Sequence, residues 1–187
     1  MLLLMYGQLR KTVMDIYIGS EFDFYNGFSS KNLARLYYDG SFDPTFYVGS
    51  GFNGDVYKIA IQYDGKILVG GSFNIYQGMS QKSLVRLEEN GEIDTTFDGI
   101  TSGFNGSIYD IILLDDGDII IVGNFTSYNG VTVRRIARLN EDGSLDLAFN
   151  SGGYGASNIV RSVILLPDGK YLISGNFISY NGSTAEE

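Results

Sequence analysis

A phenylalanine recurs at Phe22, Phe73, Phe125 and Phe177, at steps of 51, 52 and 52 residues. Nothing else in the chain constrains its fold as strongly, because a sequence that repeats at a fixed step folds as an array of similar units. Other residues keep register with this anchor. Tyr25, Tyr76, Tyr128 and Tyr180 follow it by three residues, and Gly27, Gly78, Gly130 and Gly182 by five. Arg35, Arg86 and Arg138 follow by thirteen, Asp43, Asp94 and Asp146 by twenty-one, and Phe46, Phe97 and Phe149 by twenty-four.

Within a unit the pattern is that of short strands. VYKIAIQY and KILVGGSF flank Asp64-Gly65, and LVRLEE and IDTTF flank Asn90-Gly91. Asp-Gly and Asn-Gly between apolar runs signal hairpins, since glycine enters the positive-φ region such turns need. ILVGG, IIIVG and YLISG are continuous apolar runs, which predicts strands covered on both faces. Four short antiparallel strands per unit, covered on both sides, describe a propeller blade. The predicted class is therefore all-β: a β-propeller-like repeat array of four-stranded antiparallel blades with a period of about 52 residues. The competing arrangement is an elongated stack of hairpins.

The predicted units are a degenerate half-blade over 1–27, a half-blade over 28–51, full blades over 52–103 and 104–155, and a half-blade over 156–187. In the first, Met14 stands where other copies have the turn glycine. MLLLMYGQLRK is too short to span a membrane and lacks the flanks of a signal peptide. Residues 3–6 are predicted as a strand.

Composition narrows function mainly by exclusion. The 187 residues are 44% apolar, enough for one sizeable core. A net charge of −9 argues against nucleic acid bound through phosphates and against anionic membrane surfaces. With no Cys and no His, a zinc site, a disulfide framework and a Ser-His or Cys-His nucleophile pair are excluded. No cofactor is predicted. Only a hard cation held by oxygens remains open, and Asn140–Asp146, NEDGSLD, resembles a calcium loop. EENGEID and YYDGSFD at the equivalent places have fewer carboxylates or a different order, so turn formation is the better reading.

Two further groups invite a site. Tyr25, Tyr76, Tyr128 and Tyr180 would display one aromatic per blade for stacking on a glycan or a protein partner, or would each pack under its own loop; the second is favoured. Asp115, Asp116 and Asp118 form an acidic cluster that a solvated hairpin explains better than glycoside hydrolysis. Arg35, Arg86 and Arg138 lie among apolar neighbours and need acidic partners, for which Asp43, Asp94 and Asp146 are the candidates.

PDGKYLISGNFISYNG, YDGKILVGGSF and RIARLNEDGSLDLAF resemble the delta-60 repeats of bacterial surface proteins and some phage proteins. The resemblance spans about Asp15 to Gly182 and departs at Val13-Met14 and at Ala156–Asn158, where other copies read Phe-Asn-Gly. It implies propeller blades with a binding or scaffolding role, and no catalytic residues. The expected function is a non-enzymatic binding and assembly module of a virion, such as a phage tail or fibre, or of a cell surface. A glycan-binding or glycan-degrading propeller and a fragment of a surface adhesin are the alternatives. About three and a half blades do not close a ring, so other protein chains are the expected partners.

Overall fold

The computed structural model describes residues 15–97, 103–150 and 153–184. The strand predicted at residues 3–6 and the turn at Met14 lie outside them. The described residues form short strands and no helix. The first unit holds β1 (Ile16–Gly19), β2 (Phe24–Tyr25), β3 (Phe28–Ser29) and β4 (Leu33–Leu36). The second holds β5 (Val56–Ile61), β6 (Ile67–Gly71), β7 (Ile75–Tyr76), β8 (Met79–Ser80) and β9 (Leu84–Leu87). The third holds β10 (Ile108–Leu113), β11 (Ile119–Gly123), β12 (Ser127–Tyr128), β13 (Val131–Thr132) and β14 (Ile136–Leu139). The fourth holds β15 (Val160–Leu165), β16 (Tyr171–Gly175), β17 (Ser179–Tyr180) and β18 (Ser183–Thr184).

Sheet order follows chain order. β5–β6–β9 and β10–β11–β14 are antiparallel, with β6 and β11 central. β1 pairs with β4, so residues assigned to two half-blades join in one sheet. β15 pairs with β16 alone. The fourth strand of each blade is reduced to a single bridge: Leu36 to Phe42, Leu87 to Ile93 and Leu139 to Leu145. The reduction has a local cause. The Asp94 carboxylate takes the amide and hydroxyl of Thr96, turning the chain away immediately after the bridge.

The turns are of two kinds. At Asp64-Gly65 only the glycine has positive φ, and the Gln62 amide closes on the Lys66 carbonyl at 2.8 Å around a three-residue loop. At Asn129-Gly130 both residues do, at 46° and 82°, the requirement of a two-residue type I′ hairpin. The Tyr-Asn-Gly string, read from sequence as a loop, is thus the tip of the small hairpin β12–β13.

The apolar runs explain the core. All five residues of β6 and of β11 are buried. Phe52 lies 4.3 Å from the rings of both Phe73 and Tyr76, and Phe104 lies 4.4 Å from both Phe125 and Tyr128. Burying each ring contributes roughly 1.5–3 kcal/mol. Successive sheets pack face to face, β5 on β1, β10 on β5 and β15 on β10. At Gly70 the approach is so close that a Cβ would lie 2.7 Å from Ile108. YLISG breaks the rule expected of it: in β16 only Tyr171 and Ile173 are partly buried and the other three are exposed. A continuous apolar run is covered on both faces only where a third strand and a following sheet are present, and among the described residues β16 has neither.

Candidate functional site

Each unit grips the next through side chains that the period brings into line. The third-strand arginine is the first. Arg35 Nε donates to Asp43 Oδ2 at 2.7 Å and Arg86 Nε to Asp94 Oδ2 at 2.6 Å, as the sequence spacing predicts. The other end of each guanidinium crosses to the following blade. Arg35 Nη1 donates to the Glu89 carbonyl at 2.6 Å, and Arg86 Nη1 to the Glu141 carbonyl at 2.5 Å. Arg35 and Arg86 also stand 5.0 and 4.5 Å from the ring centroids of Phe46 and Phe97. The acids respond. Burial alone would raise the Asp43 carboxyl, but the Thr45 hydroxyl and amide, with Arg35, outweigh it and hold it at about 2. Asp94 is held lower still by Thr96, Lys66 and Arg86, again against its own burial.

A second grip lies at the β-bulge in the first strand of the sheets that begin with β5, β10 and β15. Lys58, Asp110 and Ser162 occupy equivalent positions in consecutive units. Lys58 Nζ lies 2.7 Å from Asp110 Oδ1, while Asp110 Oδ2 accepts from the Ser162 hydroxyl at 2.9 Å and the Val163 amide at 3.0 Å. Burial would raise the Asp110 carboxyl; these three partners hold it below the usual range. One residue earlier, the Tyr57 and Tyr109 rings stack at 5.5 Å, with the Arg161 guanidinium 5.5 Å from the Tyr109 ring. A bulge leaves no clear mark on a sequence pattern, so this column was not anticipated.

The four tyrosines divide. Tyr76 and Tyr128 are 0% exposed, and each donates its hydroxyl at 2.8 Å to a turn carbonyl of its own blade, Gly91 and Gly143. Tyr25 does the same to Gly40 at 3.1 Å. The reading of these positions as contacts for a ligand or partner is corrected at Tyr76 and Tyr128: a ring inside the blade offers no face to stack on, and burial pushes the Tyr76 phenol up. The alternative, a ring packed under its own loop, describes them. Tyr25 and Tyr180 are half-buried.

The acidic cluster and the oxygen-rich turn have ordinary partners. Asp118 Oδ2 and Asp116 Oδ2 accept from Arg138 Nε and Nη2 at 2.6 and 2.7 Å; Asp115 is exposed on the hairpin. In Asn140–Asp146, Asp142 Oδ1 accepts from the Ser144 amide and hydroxyl, and the Asn140 side chain donates to the Ser144 hydroxyl. Among the described residues no group of three or more acidic side chains is placed to hold a metal ion.

Among the described residues these grips are interrupted at the outer face of the last half-blade. Arg138 pairs with Asp116 and Asp118 of its own hairpin, Asp118 standing where the second unit has Lys66, and its expected partner Asp146 lies at 3.7 Å. Leu172 is 56% exposed, whereas Leu68 and Ile120 at the equivalent positions are 0% exposed because the next sheet covers them. Ile164 and Ile178 are exposed beside it. A groove of about 500 Å³ opens against Ile136, Leu145 and Phe149. In the inner units the corresponding rings, Phe46 and Phe97, are covered by Gly91 and Gly143 of the following turn. Among the described residues the edge is thus an apolar face beside a strand paired on one side only, whereas in the inner units the following sheet covers the face and the unit's own third strand takes the second pairing.

The departure at Ala156–Asn158 leaves the backbone intact. Asn53 and Asn105 each accept two backbone amides of the small hairpin that follows, and Ser157 Oγ takes the same role toward Ile178 and Ser179 at 3.1 Å each.

A family model described as "Domain of unknown function (DUF5122) beta-propeller" matches residues 15–46, 62–97, 114–149 and 166–185, together more than half of the chain. Each full match runs from the first hairpin turn to the terminal Phe-containing turn, and the last stops before a third strand. No curated protein and no solved structure matches the chain.

Proposed function

Because the chain belongs to the DUF5122 β-propeller family, we propose that it is a non-enzymatic assembly module whose open blade is completed by a repeat of the same kind from another chain. The observation that carries this is the set of unmet contacts at one edge. β16 has an antiparallel partner on one side only, where β6 and β11 have two. Leu172 faces outward where Leu68 and Ile120 face a neighbouring sheet. The chemistry of the occupant follows: an extended segment to pair with the free side of β16, and an apolar face to cover Leu172. A blade of this repeat offers both. Unpaired edges are strong templates for strand addition.

The likeness of YDGKILVGGSF and RIARLNEDGSLDLAF to delta-60 repeats supports a setting in a virion, as a tail or fibre component, or on a bacterial surface. The net charge of −9 supports protein rather than nucleic acid as the partner.

The test is the mass of the purified chain by light scattering, combined with hydrogen exchange. A discrete oligomer in which the β16 amides are protected is the expected result, with Leu172→Lys shifting the mass to one chain. A monomer whose β16 amides exchange at the rate of open chain overturns the proposal.

A further inference from the structure

A cavity of about 560 Å³ lies between the third and fourth units, with both walls built by this chain. The repeat itself provides the control for reading it. At Ala156 the other units carry Phe52 and Phe104, each 1% exposed and stacked on the anchor phenylalanine and the hairpin tyrosine. At Arg135 they carry Asn32 and Ser83. The left-handed backbone there, φ 65° at Asn32 and Ser83 and 68° at Arg135, is common to all three units and implies nothing by itself. What differs is that a ring has been removed from one wall and a guanidinium added to the other.

That guanidinium lacks a counter-charge. Arg35, Arg86 and Arg138 each hold an aspartate, in a chain with 22 acidic and 13 basic residues. Arg135 donates from Nη1 to the Phe125 carbonyl at 3.2 Å, its Nε is buried without a partner, and neither it nor the adjacent Arg134 forms an ion pair with a described residue. A partly buried guanidinium without a counter-charge is costly, and its natural match is a carboxylate. The remaining lining suits a polyol. Thr132, Ser157 and Ser179 contribute hydroxyls, and Tyr154, 70% exposed, stands at the rim with a ring face free for stacking. The volume falls within the roughly 300–1,000 Å³ of small-molecule sites.

We propose that this cavity binds a carboxylated sugar residue, its carboxylate on Arg135 and its ring hydroxyls on the Thr132, Ser157 and Ser179 side. The site goes beyond the assembly reading and does not depend on it, since it lies on the inner side of the last half-blade and is complete within one chain.

The test is a calorimetric or NMR titration of the whole chain with glucuronate, glucose and acetate in parallel. Glucuronate binds saturably, glucose does not, and acetate binds more weakly than glucuronate. Arg135→Ser and Ala156→Phe restore what the repeat carries elsewhere, so both keep the fold, and each weakens glucuronate by about tenfold or more. Arg135→Lys, which keeps the charge and loses the fork, weakens it less. Absence of saturable glucuronate binding, equal affinity for acetate, or unchanged affinity in Ala156→Phe overturns the proposal. None of these outcomes bears on the oligomeric mass, so failure here is distinct from failure of the assembly reading.

Discussion

The second and fourth units are built to the same pattern and meet different fates. In the second, β6 lies between β5 and β9, its five residues are buried, and Arg86 closes on Asp94 while reaching Glu141 of the next blade. At the boundary of the fourth, β16 is exposed along one face and Arg138 folds back on its own hairpin. Most side chains keep their type at the same step, but Asp118 stands where the second unit has Lys66 and Ala148 where it has Thr96, so Arg138 meets a carboxylate on its own hairpin that Arg86 does not. The cover of the central strand also differs: the sheet that follows packs on β6, and among the described residues none packs on the outer face of β16. A blade's burial therefore depends in part on the sheet that follows it.

The comparison can be broken most forcefully in the core. Phe125→Ala removes a ring that is 0% exposed, and a loss of about 3–5 kcal/mol is expected in denaturant unfolding. Phe177→Ala, at the same position of the half-covered last unit, should cost distinctly less. Equal losses would mean that the fourth unit is as well packed as the third in solution, and so already has a neighbour.

The arginine pairs sharpen the same contrast. Asp94→Asn leaves Arg86 buried with a neutral partner, and a loss of about 3 kcal/mol is expected from the unmatched charge. Asp146→Asn removes a carboxylate 3.7 Å from an arginine that already holds Asp116 and Asp118, so less than about 1 kcal/mol is expected. A double-mutant cycle with the arginine separates the pair energy from the cost of stranding the charge. A large loss for Asp146→Asn would show that Arg138 turns toward Asp146 once a neighbour is bound.

The response to acid tests the contrast at the first unit. Asp43 is held at about 2, below its unfolded value near 3.9. A depressed carboxyl stabilises the fold above the unfolded value, and that contribution is lost as pH falls through about 2. The denaturation midpoint of the natural chain should therefore drop between pH 4 and pH 2 (about the two titration limits) more steeply than that of Asp43→Asn. Parallel curves would mean that the Thr45 and Arg35 contacts do not persist in solution.

Much of this was legible in the residues, and unevenly. The anchor spacing and the Asp-Gly turns marked out the blades because they are local, one to a unit. The Arg–Asp pairs were legible at Arg35 and Arg86 because both partners sit on neighbouring strands of one sheet. At Arg138 the predicted partner Asp146 stands at 3.7 Å, because Asp116 and Asp118 of the neighbouring hairpin take the guanidinium at 2.7 and 2.6 Å. The tyrosines were ambiguous for a related reason. Tyr128 is polar at its tip and apolar in its ring, and the turn carbonyl of Gly143 that makes burial affordable is visible only after folding. The cavity at Ala156 and Arg135 was half visible: the loss of phenylalanine was noted in the sequence, but its opposition to Arg135 across the gap was not.

By itself, the amino-acid sequence determined the class, the step of the array and the sites of the turns, because period, β-branched runs and glycines act within a few residues of each other. Tertiary structure alone decided which of the repeated side chains are satisfied and which are left waiting. That depends on what packs against each sheet, and a face-to-face contact between blades is set by residues some fifty positions away, such as Arg86 and Glu141, whose meeting no local pattern records.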